Sequence, residues 1–146
     1  MHLTRDSPRL YFFTPLAMLT MAALATPLLV HFNFVLAALA IRKFFSVVCH
    51  QDPTRSCWFW GAPVAICYRC LGIYAGGLAG TWWRGSRPWL LRCIAIFVLA
   101  NAIDVFTEMA GLHGDLPGVR WLLGAMLGGV VASLIASSFR RPAWRI

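Results

Sequence analysis

The sequence predicts an all-α integral membrane protein, a bundle of about four transmembrane helices with a Cys/His-rich loop on the extracytoplasmic side. Of its 146 residues, 60% are hydrophobic and only 12% are charged. A water-soluble domain usually carries about 25% charged residues, so this chain has too few polar side chains to cover a surface in water. The length predicts a single transmembrane domain over residues 1–146.

Four apolar stretches are long enough to be considered as membrane spans. They cover about residues 11–31, 67–83, 88–110 and 119–139. The first belongs to an uncharged run, Leu10–Ile41, which as one helix would be about 48 Å long, more than the ~30 Å hydrocarbon core. We therefore expect a bend or exit near Pro27 and His31–Asn33, followed by a surface or tilted segment over 34–48. The run also exceeds a signal-peptide h-region, which predicts a retained anchor.

The positive charges predict the orientation in the membrane. Eight of the 13 Lys and Arg residues lie at the termini and in the loop after the second span, whereas five lie at the other ends of the spans. This bias places both termini in the cytoplasm and the Cys/His loop, residues 42–66, outside the cell (inner) membrane. The net charge of +8 is then explained by contacts with the lipid bilayer, and no nucleic-acid partner is predicted.

Four cysteines and a histidine are concentrated around this loop. Cys67 and Cys70 form a CxxC pair at the start of the second span, and the preceding chain can fold back to offer Cys49 or His50. Three or four such ligands suit tetrahedral zinc or another transition metal. A helix N-terminus also stabilises thiolates, so thiol–disulfide exchange is an alternative, with Cys49 and Cys57 as a second pair and a quinone as oxidant. Structural disulfides in an oxidising outer loop are a further alternative.

The third span contains polar residues at spacings of three and four, which place them on one helix face. They are Asn101, Asp104, Thr107 and Glu108. A carboxylate in hydrocarbon costs about 3 kcal/mol or more, so it must face a partner or water. The natural partners are Arg69 and Arg120, and His113 is a further possible contributor. The set is interpreted either as an ion-pair network that fixes helix register, or as a site that handles protons, ions or a metal.

Small residues recur at every fourth position in the second and fourth spans. They are Gly72, Gly76 and Gly80 in one span, and Gly124, Gly128 and Ala132 in the other. Such stripes let helix backbones approach closely in lipid, so they predict tight packing. The spacing leaves open whether the packing partner is the same chain, a second copy or another membrane subunit.

The motifs "CHQ" at Cys49–Gln51, Arg55–Ser56 and "CYRCLGIYAG" at Cys67–Gly76 together resemble those of the prokaryotic membrane-protein family catalogued as domain of unknown function 2085. A looser second motif of that family is matched by Asp104, Thr107, Gly111, Leu112, Arg120, Gly124 and Gly128. The chain departs from it at Val105, Glu108 and His113, where the family has Gly, Gln and Arg.

The resemblance also bears on Cys57. The family commonly has an aromatic residue at that position, which argues against Cys57 as a ligand and against a redox scheme with two cysteine pairs. The family name assigns no reaction, so the resemblance supports a site without identifying its chemistry.

These observations predict a small membrane protein with a metal site at its outer face and a polar network beside it. The metal site comprises Cys49, His50, Cys67 and Cys70, and the network comprises Arg55, Arg69, Asp104, Thr107, Glu108 and Arg120. The network is expected to hold loop and helices in register and to bind an anionic headgroup or small ligand. A binding or structural role, including that of a subunit in a membrane complex, is favoured. A quinone-linked thiol oxidoreductase and a metal-dependent enzyme or transporter are the alternatives.

Overall fold

The computed structural model describes residues 7–112 and 114–138. This part of the chain forms five α-helices and one short hairpin. The helices are α1 (Ser7–His31), α2 (Val35–Phe45), α3 (Tyr68–Gly80), α4 (Arg87–Met109) and α5 (Pro117–Ser138), and the hairpin strands are β1 (Ser56–Phe59) and β2 (Ala62–Cys67). The predicted helical membrane fold is confirmed, with the two-stranded sheet as an addition that the sequence analysis assigned to a loop.

Three helices are long and apolar enough to cross a membrane: α1 from Leu10, α4 and α5. They correspond to the predicted first, third and fourth spans. The predicted second span, residues 67–83, is represented by α3, whose 13 residues make a helix only about 20 Å long. The chain before α3 is extended because it pairs as β2, so the count of four full-length spans is not confirmed.

Helices α3 and α5 run parallel and make the closest helix contact in the described part of the chain. A methyl group at Gly72 would overlap the carbonyl oxygen of Trp121, and one at Gly80 would lie 2.7 Å from the Cα atom of Gly129. From the other helix, a methyl group at Gly128 would lie 2.8 Å from the Cα atom of Ile73. The predicted tight packing therefore occurs within one chain, and association with other subunits through these stripes stays a prediction.

The remaining helices flank this pair. Helix α4 packs against α5, where the Asn101 side chain donates to the Leu123 carbonyl at 3.4 Å, while α1 packs against α3 and β2. One end of the bundle is aromatic, since the rings of Phe13 and Trp82 lie 4.6 Å apart and those of Trp83 and Trp89 lie 5.4 Å apart. The outward faces of the long helices are apolar and exposed, as expected for surfaces that contact lipid.

The chain leaves α1 at the predicted position and then forms the separate helix α2. Asn33 adopts a left-handed φ of 63°, a conformation that asparagine tolerates better than most residues, and this reverses the chain. Helix α2 turns Phe45 inward, where its ring meets that of Tyr74 edge-on at 6.1 Å. The core at this end of the bundle combines Ala23, Phe45, Cys49, Val64, Ala65 and Ile66.

The hairpin closes the same end of the molecule. Its strands are antiparallel, with Phe59 opposite Ala62 and Ser56 opposite Cys67. The turn residues Trp60 and Gly61 both have positive φ, 48° and 75°, as a two-residue turn of the primed type requires. The hairpin therefore returns the chain to the bundle so that Cys67 immediately precedes α3.

Candidate functional site

Three thiols meet at the junction of the hairpin and the bundle. Cys49 follows α2, Cys67 ends β2 and Cys70 lies in the first turn of α3. Their sulfur atoms all lie within 4.8 Å of one another. Cys49 is buried with 6% of its surface exposed, and its sulfur accepts a hydrogen bond from the Cys67 backbone N–H at 3.3 Å. We call these three residues the thiol cluster.

Local backbone geometry explains how distant residues reach this point. The Cys49 N–H donates to the Phe45 carbonyl at 2.9 Å, which extends the end of α2 by one turn. Gln51 then has a φ of 55°, and its side-chain amide donates to the Arg42 carbonyl at 2.6 Å. This reversal directs the chain into the 3-10 turn Pro53–Arg55 and the hairpin, whose register brings Cys67 back beside Cys49.

The electrostatics of the thiol cluster favour a thiolate at Cys49. Hydrogen bonds from the side chains of Cys67 and Cys70 lower the pKa of the Cys49 thiol far below its usual range, against the opposing effect of burial. No disulfide bond joins these three cysteines in the structure. A cluster with one thiolate and two further thiols is the state from which either metal binding or disulfide formation begins.

The cluster has the dimensions of a thiolate metal site. Zinc about 2.3 Å from each sulfur in a tetrahedron would hold the sulfurs about 3.8 Å apart. Sulfurs that already lie within 4.8 Å would reach this spacing by small side-chain rotations. His50 is exposed and does not belong to the cluster, so its assignment as a ligand stays a prediction. Cys57 and Cys93 also lie outside the cluster.

An ion-pair network lies beside the cluster at the same end of the bundle. Asp104, which is 7% exposed, pairs with Arg69 and lies 3.6 Å from Nε of Arg120. The Glu108 carboxylate oxygens lie 2.5 Å from Nη2 of Arg120 and 2.8 Å from Nη2 of Arg55. The five side chains therefore connect the 3-10 turn, α3, α4 and α5, as the predicted register-fixing role requires.

Two further acids take part that the sequence analysis did not assign to the network. Asp115 pairs with Nη1 of Arg120, and Asp52 lies 3.5 Å from Nε of Arg55. Asp52 also accepts bonds from the backbone N–H and hydroxyl of Thr54, and these bonds lower the pKa of its carboxyl. Each acid lies in a loop a few residues before the arginine with which it pairs. This short separation was the signal available in the sequence.

The other predicted polar residues donate to backbone carbonyl groups, and Asn101 does so both within α4 and across to α5. The Thr107 hydroxyl donates to the Ile103 carbonyl at 2.7 Å, and the Asn101 amide donates to the Phe97 carbonyl at 2.8 Å. Such bonds satisfy a polar side chain within its own helix. His113 lies outside the described residues.

A polar cavity of about 170 Å³ is lined by residues of both the network and the thiol cluster. The network contributes Arg55, Arg69 and Arg120 to this lining, and the thiol cluster contributes Cys67. His50, Asp52 and Tyr68 complete the lining. At about 30 Å³ for each water molecule of the liquid, this volume holds about five waters or one small polar molecule.

Comparisons with known proteins agree with the motifs. The family model described as "Predicted membrane protein (DUF2085)" matches residues 49–134. An uncharacterized protein from the archaeon Methanocaldococcus jannaschii is 29% identical over 112 residues, which cover 70% of each chain. No solved structure matches the chain. Because the matched segment runs from the first cysteine of the thiol cluster into α5 and covers more than half of the chain, the protein belongs to this family of predicted membrane proteins of unknown function, DUF2085.

Proposed function

We propose that the protein is a small metal-binding membrane protein whose thiol cluster holds zinc or a similar transition metal at the outer face of the cell (inner) membrane. The metal would fasten the loop before the hairpin, the hairpin itself and α3 to one another. In this role the protein is a binding or structural protein, or a subunit of a membrane complex. Both termini are proposed to lie in the cytoplasm.

The meeting of three thiols carries the proposal. Cys49, Cys67 and Cys70 come from three different segments, yet their sulfurs lie within 4.8 Å of one another. Soft thiolate ligands in a tetrahedral arrangement are typical of zinc sites, and such sites supply folding free energy to small or loop-rich regions. His50 is the proposed fourth ligand because it follows Cys49 directly and is exposed, so its side chain is free to turn.

The first test is the metal content of the protein, purified in detergent without chelator or reductant. We expect about one zinc or other transition-metal ion per chain, as a single cluster of this kind binds one ion. Cys49→Ser, Cys67→Ser and Cys70→Ser should each remove most of the metal, since a serine hydroxyl is a poor ligand for a soft metal. Elemental analysis by mass spectrometry gives the metal content, and thiol titration after denaturation gives the number of free thiols.

Two cysteines of the same chain provide the control. Cys57→Ser and Cys93→Ser change the same atom outside the thiol cluster and should leave the metal content unchanged. His50→Ala should weaken retention during dialysis against a chelator. A metal content that is equal in the wild-type protein and in the Cys67→Ser variant would contradict the proposal.

A thiol–disulfide oxidoreductase is the second candidate, because a stabilised thiolate at Cys49 lies within reach of two further thiols. Oxidation of Cys67 and Cys70 to a disulfide would release two protons and two electrons, which a quinone would accept to form a quinol. An apolar cavity of about 560 Å³ between α1, α3, α4 and α5 has room for an isoprenoid quinone, and Tyr74 connects it to the thiol-cluster end.

The same purified samples distinguish the two candidates. A redox role predicts no bound metal, two thiols that appear only after reduction, and loss of the reduced thiols when an oxidised short-chain quinone is added. The metal role predicts that all thiols are recovered once the metal is removed, without any reductant.

A further inference from the structure

We propose that the polar cavity beside the thiol cluster binds a small phosphate-type oxyanion, held by Arg55, Arg69 and Arg120. The ligand is a phosphate group, either the monoester of a lipid headgroup or a soluble phosphate. This proposal rests on the arginines and not on the thiols, so it goes beyond the metal site and does not depend on it.

The set of arginine donors in the cavity wall is the first argument. Three arginines line the cavity, whereas Asp52 is the single acid in its lining. Asp52 already accepts two hydrogen bonds from Thr54, at 3.0 Å from the backbone N–H and at 2.7 Å from the hydroxyl. The four lining side chains therefore sum to +2, whereas the whole cluster, with Asp104, Glu108 and Asp115 outside the lining, sums to −1. The attraction for an anion comes from the arginine donors of the wall and not from an excess of positive charge.

The arrangement of the other acids is the second argument. Asp104, Glu108 and Asp115 pair with the arginines but are not part of the cavity lining. They hold the guanidinium groups in place without lining the cavity themselves. Arginines that are fixed in this way are pre-organised, so binding an anion costs little side-chain entropy.

Buried donors without acceptors are the third argument. Among the described residues, Nε of Arg69 is buried and has no hydrogen-bond partner, while Nε and Nη2 of Arg120 are buried and make ion pairs with Asp104 and Glu108 without a well-aligned hydrogen bond. The side chain of Arg120 is only 4% exposed. A buried guanidinium donor that lacks an acceptor is costly, and a planar fork of N–H groups matches the oxygens of a phosphate.

The size of the cavity limits the class of ligand. A volume of about 170 Å³ has room for a phosphate group and the first atoms of its ester substituent, but it is too small for a nucleotide. Because the cavity lies at the end of the bundle, a phospholipid could place its headgroup there while its acyl chains stay in the bilayer.

The test uses calorimetric titration of the detergent-solubilised full chain with sodium phosphate, with sodium chloride as the blank. A parallel arm incorporates the protein into phosphatidylcholine vesicles with or without phosphatidic acid and measures the phosphatidic acid that remains bound after re-extraction. Saturable binding of inorganic phosphate identifies a soluble ligand, and retention of phosphatidic acid alone identifies a lipid headgroup. Either result supports the proposal, and binding in neither arm overturns it.

Arg55→Gln is the diagnostic variant because its side chain is 46% exposed and its loss leaves the buried pairs of Arg69 and Arg120 in place. We expect its affinity for the anion to fall at least about tenfold, the loss of one charge-assisted hydrogen bond. Arg84→Gln removes the same charge from an exposed position at the aromatic end of the bundle and should bind like the wild type. Equal binding by Arg55→Gln and the wild type would refute the site.

Thermal unfolding of each variant is measured alongside, so that a folding defect is recognised as such. The metal content of the same samples is also determined. A sample that binds phosphate but no metal would support this inference and contradict the proposed function. A sample that binds metal but no phosphate would contradict this inference and leave the proposed function in place.

Discussion

Replacing Asp104 by leucine is expected to lower the free energy of unfolding by about 3 kcal/mol, because it leaves the partly buried Arg69 without its counter-ion and takes one of three carboxylates from the buried Arg120. Asp104 is 7% exposed and pairs with both Arg69 and Arg120. Among the described residues, it is the acid that pairs with Arg69, whereas Arg120 retains Glu108 and Asp115. Unfolding in mixed micelles with increasing denaturing detergent, followed by circular dichroism, measures the change.

Two further variants show whether the loss comes from an unpaired charge. Asp115→Asn removes a carboxylate from the same network at a position that is 36% exposed, and it should cost no more than about 1 kcal/mol. Adding Arg69→Met to Asp104→Leu should recover part of the stability, since replacing a whole buried pair costs less than breaking it. If the double variant were less stable than Asp104→Leu, the charge explanation would be wrong.

Replacing Gly76 by leucine is expected to separate α3 from α5 and to destabilise the bundle by about 3 kcal/mol or more, the upper range for overpacking. A methyl group at this position would overlap the carbonyl oxygen of Ala125 and lie 2.6 Å from its Cα atom. The obstruction is backbone rather than a flexible side chain, so it cannot be relieved by a change of rotamer. The thermal unfolding midpoint in detergent measures the effect.

Gly118→Leu is the matched control. Gly118 lies in the first turn of α5, and nothing stands within 4 Å of a Cβ atom placed there. The same substitution should therefore leave the midpoint within a few degrees of the wild type. A Gly76→Leu protein as stable as Gly118→Leu would mean that the two helices do not pack through their glycines.

Composition and periodicity were sufficient to predict most of the fold. The long apolar runs correspond to α1, α4 and α5, and the glycine spacing corresponds to the α3–α5 contact. The hairpin was not predicted, because only a four-residue and a six-residue strand flank its turn, and one of them is apolar throughout. A Trp-Gly pair between two such segments was the available signal, but an apolar run that leads into a helix is equally consistent with helix.

For the site, the sequence indicated most of the residues and a division into a metal site and a polar network, but not the geometry that brings them together. Cys49, Cys67 and Cys70 do meet, because the strand register brings Cys67 back to the end of α2. That register depends on the turn at Trp60 and Gly61, which spacing alone does not reveal. Asp115 was missed as a partner of Arg120 because its position depends on the path of the loop between α4 and α5.

The shortness of α3 bears on how the protein sits in its bilayer. Its 13 residues extend about 20 Å from the thiol cluster to the aromatic end, whereas the hydrocarbon layer is about 30 Å thick. Helix α4, with 23 residues, matches that thickness on the opposite side of α5. The hydrophobic mismatch would therefore be one-sided, since lipid in contact with the short helix α3 would have to thin, whereas lipid in contact with α4 would not. The exposed tryptophans of the hairpin, Trp58 and Trp60, lie at the thiol-cluster end of the molecule, and such rings are typical of a membrane–water interface, so the short side of the bundle carries its own interfacial anchors.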